Sequence, residues 1–232
     1  MTSHSKKRTL GVVIVAGGSG SRFGRKNKLF AKIAGIPVFV RSLMPFRNIC
    51  ENRIVLVVPP KLKDSFKKIS RKFCPNVNIK YADGGRSRTD SVANGLEAIS
   101  SLSLDLVAIH DAARPLIKEG NISLAFRFAA KHGSAIVSSR ISDTIKFVNK
   151  DNKILKTVDR EYLISAQTPQ IFKFNEIKRA YQKISKIKKS FSDDASVMEF
   201  LGQNVKVFIT EDPNIKITYP KDLKLANALM SD

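Results

Sequence analysis

An apolar run that stops in a cluster of glycines constrains this chain more than any other feature. Residues 12–28 have the sequence VVIVAGGSGSRFGRKNK, so a strand-like segment runs directly into Gly17, Gly18 and Gly20. Because glycine lacks a Cβ, neighbouring glycine amides can close around an anion at backbone angles that other residues resist. Four cations follow, at positions 22, 25, 26 and 28. The pattern predicts a β-strand followed by a phosphate-binding loop.

Two well-known phosphate loops do not fit this segment. Both the ATPase pattern G-x-x-x-x-G-K-[ST] and the dinucleotide pattern G-x-G-x-x-G, started at Gly18, require a glycine where Phe23 stands. The acidic residue expected about twenty residues further on in the dinucleotide pattern is also missing, since no carboxylate lies between Phe23 and Cys50. A tight turn without a ligand would explain the glycines but not the cations. We therefore expect a phosphate site of another kind.

The charge balance favours an anionic partner. The 232 residues include 41 Lys and Arg against 20 Asp and Glu, a formal net charge of +21, which suits nucleic acid, an acidic membrane surface or phosphorylated metabolites. Helical patterns predicted over Lys61–Phe73 and Lys178–Lys189 place many lysines on solvated faces. Aromatic residues are not interleaved with the basic ones, so nucleic acid is an unlikely partner. No stretch reaches the length of a membrane span, and we expect no membrane partner.

Cysteine usage and the first residues bear on location. Cys50 and Cys74 have no paired spacing, which predicts neither a zinc site nor a disulfide and fits a reducing compartment. Residues 6–18 resemble a short signal peptide, but cleavage there would remove the first strand and half of the glycine loop. We expect a cytoplasmic protein.

Strand-like runs alternate with segments of helical periodicity. This alternation predicts one α/β domain spanning residues 1–232, with a mainly parallel sheet between two helical layers. The predicted strands are Thr9–Ala16, Arg53–Val58, Val77–Tyr81, Leu104–Ile109 and Ala135–Ser138. Ligands of such sheets bind at the carboxyl ends of the strands. The glycine loop and the motifs Asp83-Gly84-Gly85, His110-Asp111 and Asp143-Thr144 all follow predicted strands, so we expect them to converge.

Residues 142–160 have a different pattern. Apolar residues flank the turn-forming run Asn149-Lys150-Asp151-Asn152, which predicts a β-hairpin. Because a lone hairpin is barely stable in water, it must fold back on the domain or pair with another chain. We favour an arm that joins two copies in a homodimer.

Among single residues, Asp111 is the best candidate for a metal ligand. A carboxylate at a strand end beside a phosphate loop is well placed to hold Mg²⁺, and Arg114 offers a planar fork for a second phosphate. His110 suggests a Ser-His-Asp triad, but no G-x-S-x-G elbow occurs, and a structural role is favoured.

Acidic residues elsewhere have simpler interpretations. Ser87 and Asp90 have the spacing of a helix-capping pair. Asp193 and Asp194 are either a metal-binding pair or acids in the first turn of a helix, and we favour the helix start.

Taken together, the motifs resemble one enzyme family over nearly the whole chain. In order they are Val15–Arg22, Gly84-Gly85 with Arg88 and Ser91-Val92, His110–Pro115, Asp143-Thr144, Thr168-Pro169-Gln170, Ser192–Ser196 and Asn214-Ile215-Lys216. This series resembles the 2-C-methyl-D-erythritol 4-phosphate cytidylyltransferase family of non-mevalonate isoprenoid synthesis. The resemblance implies a Rossmann-like nucleotidyltransferase domain, dimerised through the hairpin arm. The implied reaction joins CTP and the methylerythritol phosphate with Mg²⁺, releasing pyrophosphate.

The resemblance also implies roles for individual residues. The implied catalytic residues are Arg22, Lys28 and Lys216, and Asp111 would hold the metal. The nucleotide would be bound by Ala16, Gly17, Gly18, Gly20, Gly85 and Ser91. The acceptor would be bound by Arg114, Thr144, Arg160 and Thr168, with Thr144 and Arg160 supplied in part by the partner's arm.

Some positions depart from the family pattern and leave alternatives open. Asn27-Lys28-Leu29 stands where the family usually has Pro-Lys-Gln, slightly nearer to Arg22, so Lys26 could take the role of Lys28. The segment before Lys216 is about one residue short, which leaves the role of Asp212 open. The rival hypotheses are a ribitol 5-phosphate cytidylyltransferase and a basic RNA-binding protein on the same scaffold.

Overall fold

The computed structural model describes residues 8–17, 23 and 27–230. The strands are β1 (Leu10–Val15), β2 (Lys32–Ile33), β3 (Ile36–Pro37), β4 (Ile54–Val58), β5 (Ile79–Asp83), β6 (Leu106–Asp111), β7 (Ser134–Arg140), β8 (Ile145–Val148), β9 (Ile154–Val158), β10 (Ile164–Lys173) and β11 (Val207–Ile209). The α-helices are α1 (Val38–Leu43), α2 (Arg47–Cys50), α3 (Lys63–Phe73), α4 (Arg88–Ile99), α5 (Glu119–His132), α6 (Phe174–Ile184), α7 (Asp194–Phe200) and α8 (Pro220–Ala228).

A seven-stranded sheet forms the centre of the molecule. Its strand order is β11-β7-β10-β6-β1-β4-β5, and β1 pairs in parallel with both β4 and β6. Only β10 runs antiparallel to its neighbours, β6 and β7. The predicted mainly parallel α/β sheet is confirmed, and each of the five strands predicted from the sequence is present within a few residues.

Alternate residues of the central strands face opposite helical layers. In β1, Val12 and Ile14 pack into the core that contains α1, α3 and α5, whereas Val13 and Val15 pack into the core that contains α4, α6 and α7. A parallel strand buried on both faces has a continuous apolar sequence, which explains the run before the glycines. The three-layer arrangement predicted from the sequence is confirmed.

A close approach at Gly95 fixes α4 against the sheet. A Cβ at this position would lie 2.3 Å from Val13 Cγ1 and 2.8 Å from Val57 Cγ2, so any side chain would push the helix away. The predicted capping pair begins this helix, because Asp90 N donates to Ser87 Oγ at 3.0 Å and Ser87 N donates to Asp90 Oδ2 at 3.1 Å. The start of α4 is thereby held at the carboxyl ends of β1 and β4.

Two elements differ from the sequence-based predictions. The sequence patterns predict no strand over Ile164–Lys173, where β10 lies. Proline is unusual in a central strand, and the pairing of β10 with β7 shifts register between Ala166 and Gln170, on either side of Pro169. The helix predicted over Lys178–Lys189 is wrong at both ends, since α6 begins at Phe174 and ends at Ile184. Its buried apolar residues stop at Ile184, and the lysines beyond this point have no apolar face to follow.

Strands β8 and β9 form a separate antiparallel pair at the predicted position of the hairpin. The turn is closed by Asn149 N donating to Lys153 O at 3.0 Å, and Asn152 adopts a left-handed φ of 61°. We call residues 142–160 the arm. Within the part of the chain that the structure describes, no helix combines the length and apolarity needed to cross a bilayer.

Candidate functional site

The end of β1 and the start of α4 meet closely. A Cβ built on Gly17 would lie 3.1 Å from Ser91 Oγ and 4.0 Å from Gly84 Cα. Ala16, directly before it, is anchored by its amide, which donates to Val57 O at 2.8 Å. The structure therefore brings together two segments that the sequence separates by about seventy residues, as predicted for a nucleotide-binding loop.

Gly85 also contacts the start of α4 at this place. Its amide donates to Ser91 Oγ at 3.1 Å, while the Ser91 hydroxyl donates to Ser87 O at 2.9 Å. A Cβ at Gly85 would come within 2.2 Å of Asp90 Cβ, so the backbone can take this path only as glycine. Of the predicted nucleotide-binding residues, Ala16, Gly17, Gly85 and Ser91 are thus brought together. The other two, Gly18 and Gly20, and the predicted catalytic Arg22 lie outside the described residues.

Asp111 ends β6 with its carboxylate between two cations. Its Oδ2 accepts from Lys216 Nζ at 2.7 Å, and its Oδ1 lies 3.4 Å from Arg88 Nε. Burial alone would raise the pKa of the Asp111 carboxyl, but Arg88 and Lys216 outweigh it and hold that pKa well below its usual range. Asp111 is therefore an ionised carboxylate at the carboxyl end of the sheet.

Lys216 reaches Asp111 because its loop is bonded to the segment that follows β6 and to β10. Ile217 N donates to Ala113 O at 2.8 Å, and Asn214 Nδ2 donates to Thr168 O at 2.8 Å. The Lys216 side chain keeps 43% of its surface exposed, so the ammonium faces both the carboxylate and solvent. The sequence alone made this lysine an ordinary surface charge, and only the resemblance marked it.

Lys28 contacts the loop that carries Lys216. Its Nζ donates to Ile217 O at 2.7 Å, on the residue that follows Lys216. Lys26, the alternative to Lys28, lies outside the described residues. We call Lys28, Arg88, Asp111 and Lys216 the charge cluster, which combines segments from four widely separated parts of the chain.

Arg114 lies beside the charge cluster in a mostly buried position. Its Nη1 donates to Asn214 O at 2.7 Å, and burial lowers the pKa of its guanidinium below the ordinary value. Within the described part of the chain, no acceptor reaches Arg114 Nε. This unpaired donor in a buried cation is suited to a phosphate oxygen, as predicted for the acceptor site.

His110 and Thr168 support Asp111 from behind. Asp111 N donates to Thr168 Oγ1 at 3.0 Å, and the same hydroxyl lies 3.1 Å from His110 Nδ1. His110 Nε2 lies 3.2 Å from Arg114 O, so it must carry the proton and Nδ1 must accept from Thr168. Burial lowers the pKa of His110 to about 4. His110 is thus neutral and structural, as its position favoured, while acceptor binding by the buried Thr168 stays a prediction.

A buried ion pair behind Arg88 was missed by the sequence analysis. Arg88 Nη1 and Nη2 bind the two oxygens of Asp194 at 3.0 and 2.7 Å, and Tyr181 OH donates to Asp194 Oδ1 at 2.5 Å. Asp193 caps α7 by accepting from Ser196 N at 2.9 Å, which confirms the helix start. No sequence signal separates a buried acid such as Asp194 from one that merely favours the helix dipole.

Two predicted acceptor residues are not brought to the charge cluster. Thr144 and Arg160 are both exposed, and the Arg160 guanidinium donates to Ser142 O within the arm. Among residues 27–230, no hydrogen bond or ion pair joins either side chain to Asp111 or Lys216. Their role in the site stays a prediction that depends on a second copy of the chain.

Asp212, whose role the sequence left open, is bound to the start of α5. Its two carboxylate oxygens accept from Lys118 Nζ and Asn121 Nδ2, each at 2.6 Å. Since both oxygens have partners at the start of α5, the cap residue Lys118 and Asn121 in the first turn, Asp212 fixes the loop that carries Lys216.

The donor set fits one kind of metal ion. Over the described residues, no group of three or more His, Cys, Asp or Glu side chains could hold a metal. Mg²⁺ does not need such a group, because it usually binds one or two carboxylates together with substrate phosphates and water. An ionised Asp111 beside cations that favour phosphate is suited to a Mg²⁺ ion arriving with a nucleotide.

Known proteins are similar to this chain in sequence and in fold. The family model described as IspD: 2-C-methyl-D-erythritol 4-phosphate cytidylyltransferase matches residues 10–232. The protein of that name from Endomicrobium trichonymphae is 40% identical over 219 residues, covering 94% of this chain and 97% of its own length. The one from Dehalococcoides mccartyi strain 195 is 36% identical over 222 residues, covering 95% and 96%.

Solved structures agree with these sequence relatives. The 4-diphosphocytidyl-2C-methyl-D-erythritol synthase of Anaerococcus prevotii has a TM-score of 0.82 at 27% identity, covering 97% of each chain. The 2-C-methyl-D-erythritol 4-phosphate cytidylyltransferase of Thermus thermophilus has a TM-score of 0.77 at 28% identity, covering 96% of this chain and 98% of its own. The ordered motifs, the sheet and the matching relatives agree, and the chain belongs to the 2-C-methyl-D-erythritol 4-phosphate cytidylyltransferase family.

Proposed function

We propose that this chain transfers a cytidylyl group from CTP to 2-C-methyl-D-erythritol 4-phosphate and releases pyrophosphate. The observation that carries this proposal is the charge cluster, in which Lys216 Nζ binds Asp111 at the end of β6 and Lys28 Nζ binds the carbonyl of Ile217, the residue after Lys216. The names of the sequence relatives support the choice of nucleotide and acceptor. The product would be 4-diphosphocytidyl-2-C-methyl-D-erythritol.

The reaction requires no general base in the protein. The second pKa of a phosphate monoester is about 6, so the acceptor phosphate is largely dianionic near neutral pH and attacks the α-phosphorus directly. His110, next to the charge cluster in sequence, is not suited to a base, since both ring nitrogens of the neutral imidazole are bonded internally. The protein's task is then to align two phosphates in line and to stabilise the charge that develops between them.

Lys216, Lys28 and Arg22 would supply that stabilisation. Lys216 is held by its loop, so an ammonium is already in place before the nucleotide arrives and little reorganisation is needed. When a triphosphate binds, we expect Lys216 to exchange its bond with Asp111 for one with phosphate oxygen. Arg22 follows the glycines in sequence and would grip the triphosphate together with Lys28.

Asp111 would hold a divalent metal. When bound, Mg²⁺ would neutralise phosphate charge and help to orient the triphosphate. Asp111 suits this role because it is ionised and because the oxygen facing Lys216 becomes available once Lys216 moves to phosphate. The backbone at Ala16 and Gly17, with Gly85 and Ser91, would bind the cytosine, and Gly18 and Gly20 would contact the phosphates.

Arg114, Thr168, Thr144 and Arg160 would form the acceptor site. The buried Nε of Arg114 has no hydrogen-bond partner among the described residues, which suits it to bind a phosphate oxygen of the acceptor. Thr144 and Arg160 are exposed and would come in part from the partner's arm. We therefore propose a homodimer in which residues 142–160 form an arm inserted in one domain of residues 1–232. Cys50 and Cys74 are free cysteines that form no disulfide, which suits the cytoplasm, where we propose the protein is located.

The proposal is tested by measuring pyrophosphate release from CTP and Mg²⁺ with two acceptors. We expect turnover with 2-C-methyl-D-erythritol 4-phosphate and none with ribitol 5-phosphate, and ATP, GTP and UTP in place of CTP serve as nucleotide controls. Turnover only with ribitol 5-phosphate would replace the acceptor. Salt-sensitive RNA binding without any pyrophosphate release would contradict the enzymatic function.

A further inference from the structure

We propose that Arg88 is a positioning residue, locked in place by the buried pair Asp194 and Tyr181 so that it fixes the orientation of the Asp111 carboxylate. The inference rests on the proposed metal-holding role of Asp111, and it assigns a function to three residues outside the set predicted from the sequence. The residues come from α4, α6 and α7, the layer on one face of the sheet, and from the end of β6.

The Arg88 guanidinium is oriented by its bidentate contact. Nη1 and Nη2 bind both oxygens of Asp194 at 3.0 and 2.7 Å, which leaves Nε directed at Asp111 Oδ1, 3.4 Å away. The planar guanidinium makes these contacts dependent on one another, because it cannot rotate toward Asp111 without breaking the pair with Asp194. Burial alone would lower the pKa of Arg88, but the Asp194 and Asp111 carboxylates raise it above its ordinary value.

The Asp194 carboxylate is itself held in a fixed orientation. It is fully buried, lies at the first position of α7, and accepts from Tyr181 OH at 2.5 Å. Burial and the Asp194 charge raise the pKa of Tyr181 well above its ordinary value, so the phenol remains a hydrogen-bond donor. Each oxygen of Asp194 therefore has a partner, and the carboxylate is a fixed support for Arg88.

Stability alone is a poor reason for such an arrangement. Replacing a buried ion pair with apolar side chains of similar volume is often neutral or stabilising. This ion pair stands between two packed helices and the end of β6, and its outer edge contacts the one carboxylate proposed above to hold the metal. The arrangement is better explained by what Arg88 does to Asp111.

The two oxygens of the Asp111 carboxylate have different partners. Oδ1 is held by Arg88, which is fixed, whereas Oδ2 is held by Lys216, which is partly exposed and can leave with the nucleotide phosphate. Without Arg88 the carboxylate could rotate and follow Lys216. With Arg88 in place, Oδ2 would keep its orientation while Lys216 moves and would remain available to hold a metal, and an outer partner of this kind typically contributes about 10–100-fold to metal affinity.

The test measures how strongly Mg²⁺ tightens CTP binding, by titration calorimetry of the full chain with CTP in EDTA and again with saturating MgCl₂. The ratio of the two dissociation constants reports the metal site without requiring turnover. We expect Asp194→Asn to reduce this ratio by about tenfold. Tyr181→Phe, which removes one hydrogen bond and leaves the ion pair, should reduce it by about threefold. Affinity for CTP without metal should stay at the wild-type value in both variants.

Asp64→Asn on the exposed face of α3 is the matched control, and Asp111→Asn defines a site without the metal ligand. A purely structural role would weaken CTP binding equally with and without metal, and this outcome would overturn the inference. Wild-type ratios in Tyr181→Phe would overturn it as well, even if Asp194→Asn fails to fold. If Asp111→Asn itself keeps the wild-type ratio, the metal role proposed for Asp111 is wrong and the positioning role falls with it.

Discussion

The charge cluster and the arm differ in how completely one chain builds them. The cluster is internally satisfied: Asp111, Arg88 and Lys216 have partners within the chain, and their loops are fastened by backbone hydrogen bonds. The arm instead exposes apolar side chains, with Phe147 at 55%, Ile154 at 58% and Tyr162 just beyond it at 81%. It also carries Thr144 and Arg160, which the structure leaves exposed.

If the arm serves the partner's site, as proposed, the charge cluster is built within one chain whereas the acceptor site requires a second copy. A two-stranded hairpin is marginally stable alone, and exposed apolar patches on such elements mark interfaces. Changes in the charge cluster should therefore alter chemistry or CTP binding at every protein concentration. Changes in the arm should act through association and acceptor binding.

The largest effect is expected from Lys216→Ala. Removing a preorganised cation from the developing charge typically lowers kcat by about 10²–10³-fold. The fold should survive because Lys216 is partly exposed and its loop is held by Asn214 and Ile217. Steady-state pyrophosphate release measures the effect, with Lys68→Ala on the exposed face of α3 as control. An unimpaired variant would remove Lys216 from the mechanism.

The next largest effect is expected in the pH dependence of the free energy of unfolding, through the buried His110. Burial holds the pKa of His110 at about 4 in the folded state, against about 6.5 when unfolded. The unfolded chain therefore takes up a proton between these values and the folded chain does not. The contribution is fully present above about pH 6.5 and is lost as pH falls toward 4, by about 3 kcal/mol in total.

Urea unfolding of wild type and His110→Gln between pH 7 and 4 measures this term. The variant should be less stable at pH 7 but should lose less stability on acidification. His132→Gln, at an exposed position on α5, is the matched control. Parallel curves for wild type and His110→Gln would show that the buried imidazole does not titrate as described.

A smaller effect is expected when an exposed apolar side chain of the arm is replaced. Phe147→Glu puts a charge in place of a side chain that is 55% exposed, directly opposite Lys156 on the paired strand. We expect sedimentation analysis to show a shift from dimer to monomer, and acceptor-dependent turnover to fall by about tenfold with little change in CTP affinity. Leu124→Glu on α5 is a control of the same chemistry. A Phe147→Glu dimer with wild-type turnover would contradict the role of the arm.

The smallest signal is the most specific for exchange between subunits. Arg160→Ala should raise the KM for the acceptor, and Lys216→Ala should lower kcat by about 10²–10³-fold. If the arm serves the partner's site, mixing the two variants creates dimers with one intact site, restoring at most about a quarter of wild-type activity. The absence of restoration after verified subunit exchange would place Arg160 in its own chain's site.

The sequence was sufficient where a local rule acts alone. The apolar run at Val12–Val15 marked a strand buried on both faces, and Asp111 at a strand end marked the candidate metal site. It was insufficient where contacts between residues far apart in the sequence determine the local structure. A proline is unusual in a central strand, and β10 accommodates Pro169 through its register shift with β7. Asp194 has the sequence context of an ordinary acid at a helix start, although the structure buries it against Arg88 and Tyr181. Only the resemblance distinguished Lys216 from a surface lysine.

We propose that the charge cluster surrounds the reacting phosphates of CTP. A crystal structure of the full chain with CTP and Mg²⁺ would show where those phosphates lie. We predict the metal on Asp111, Lys216 on phosphate oxygen at the α-phosphorus, and the cytosine against Gly85 and Ser91. Nucleotide bound elsewhere, with the pair between Lys216 and Asp111 intact, would contradict the account.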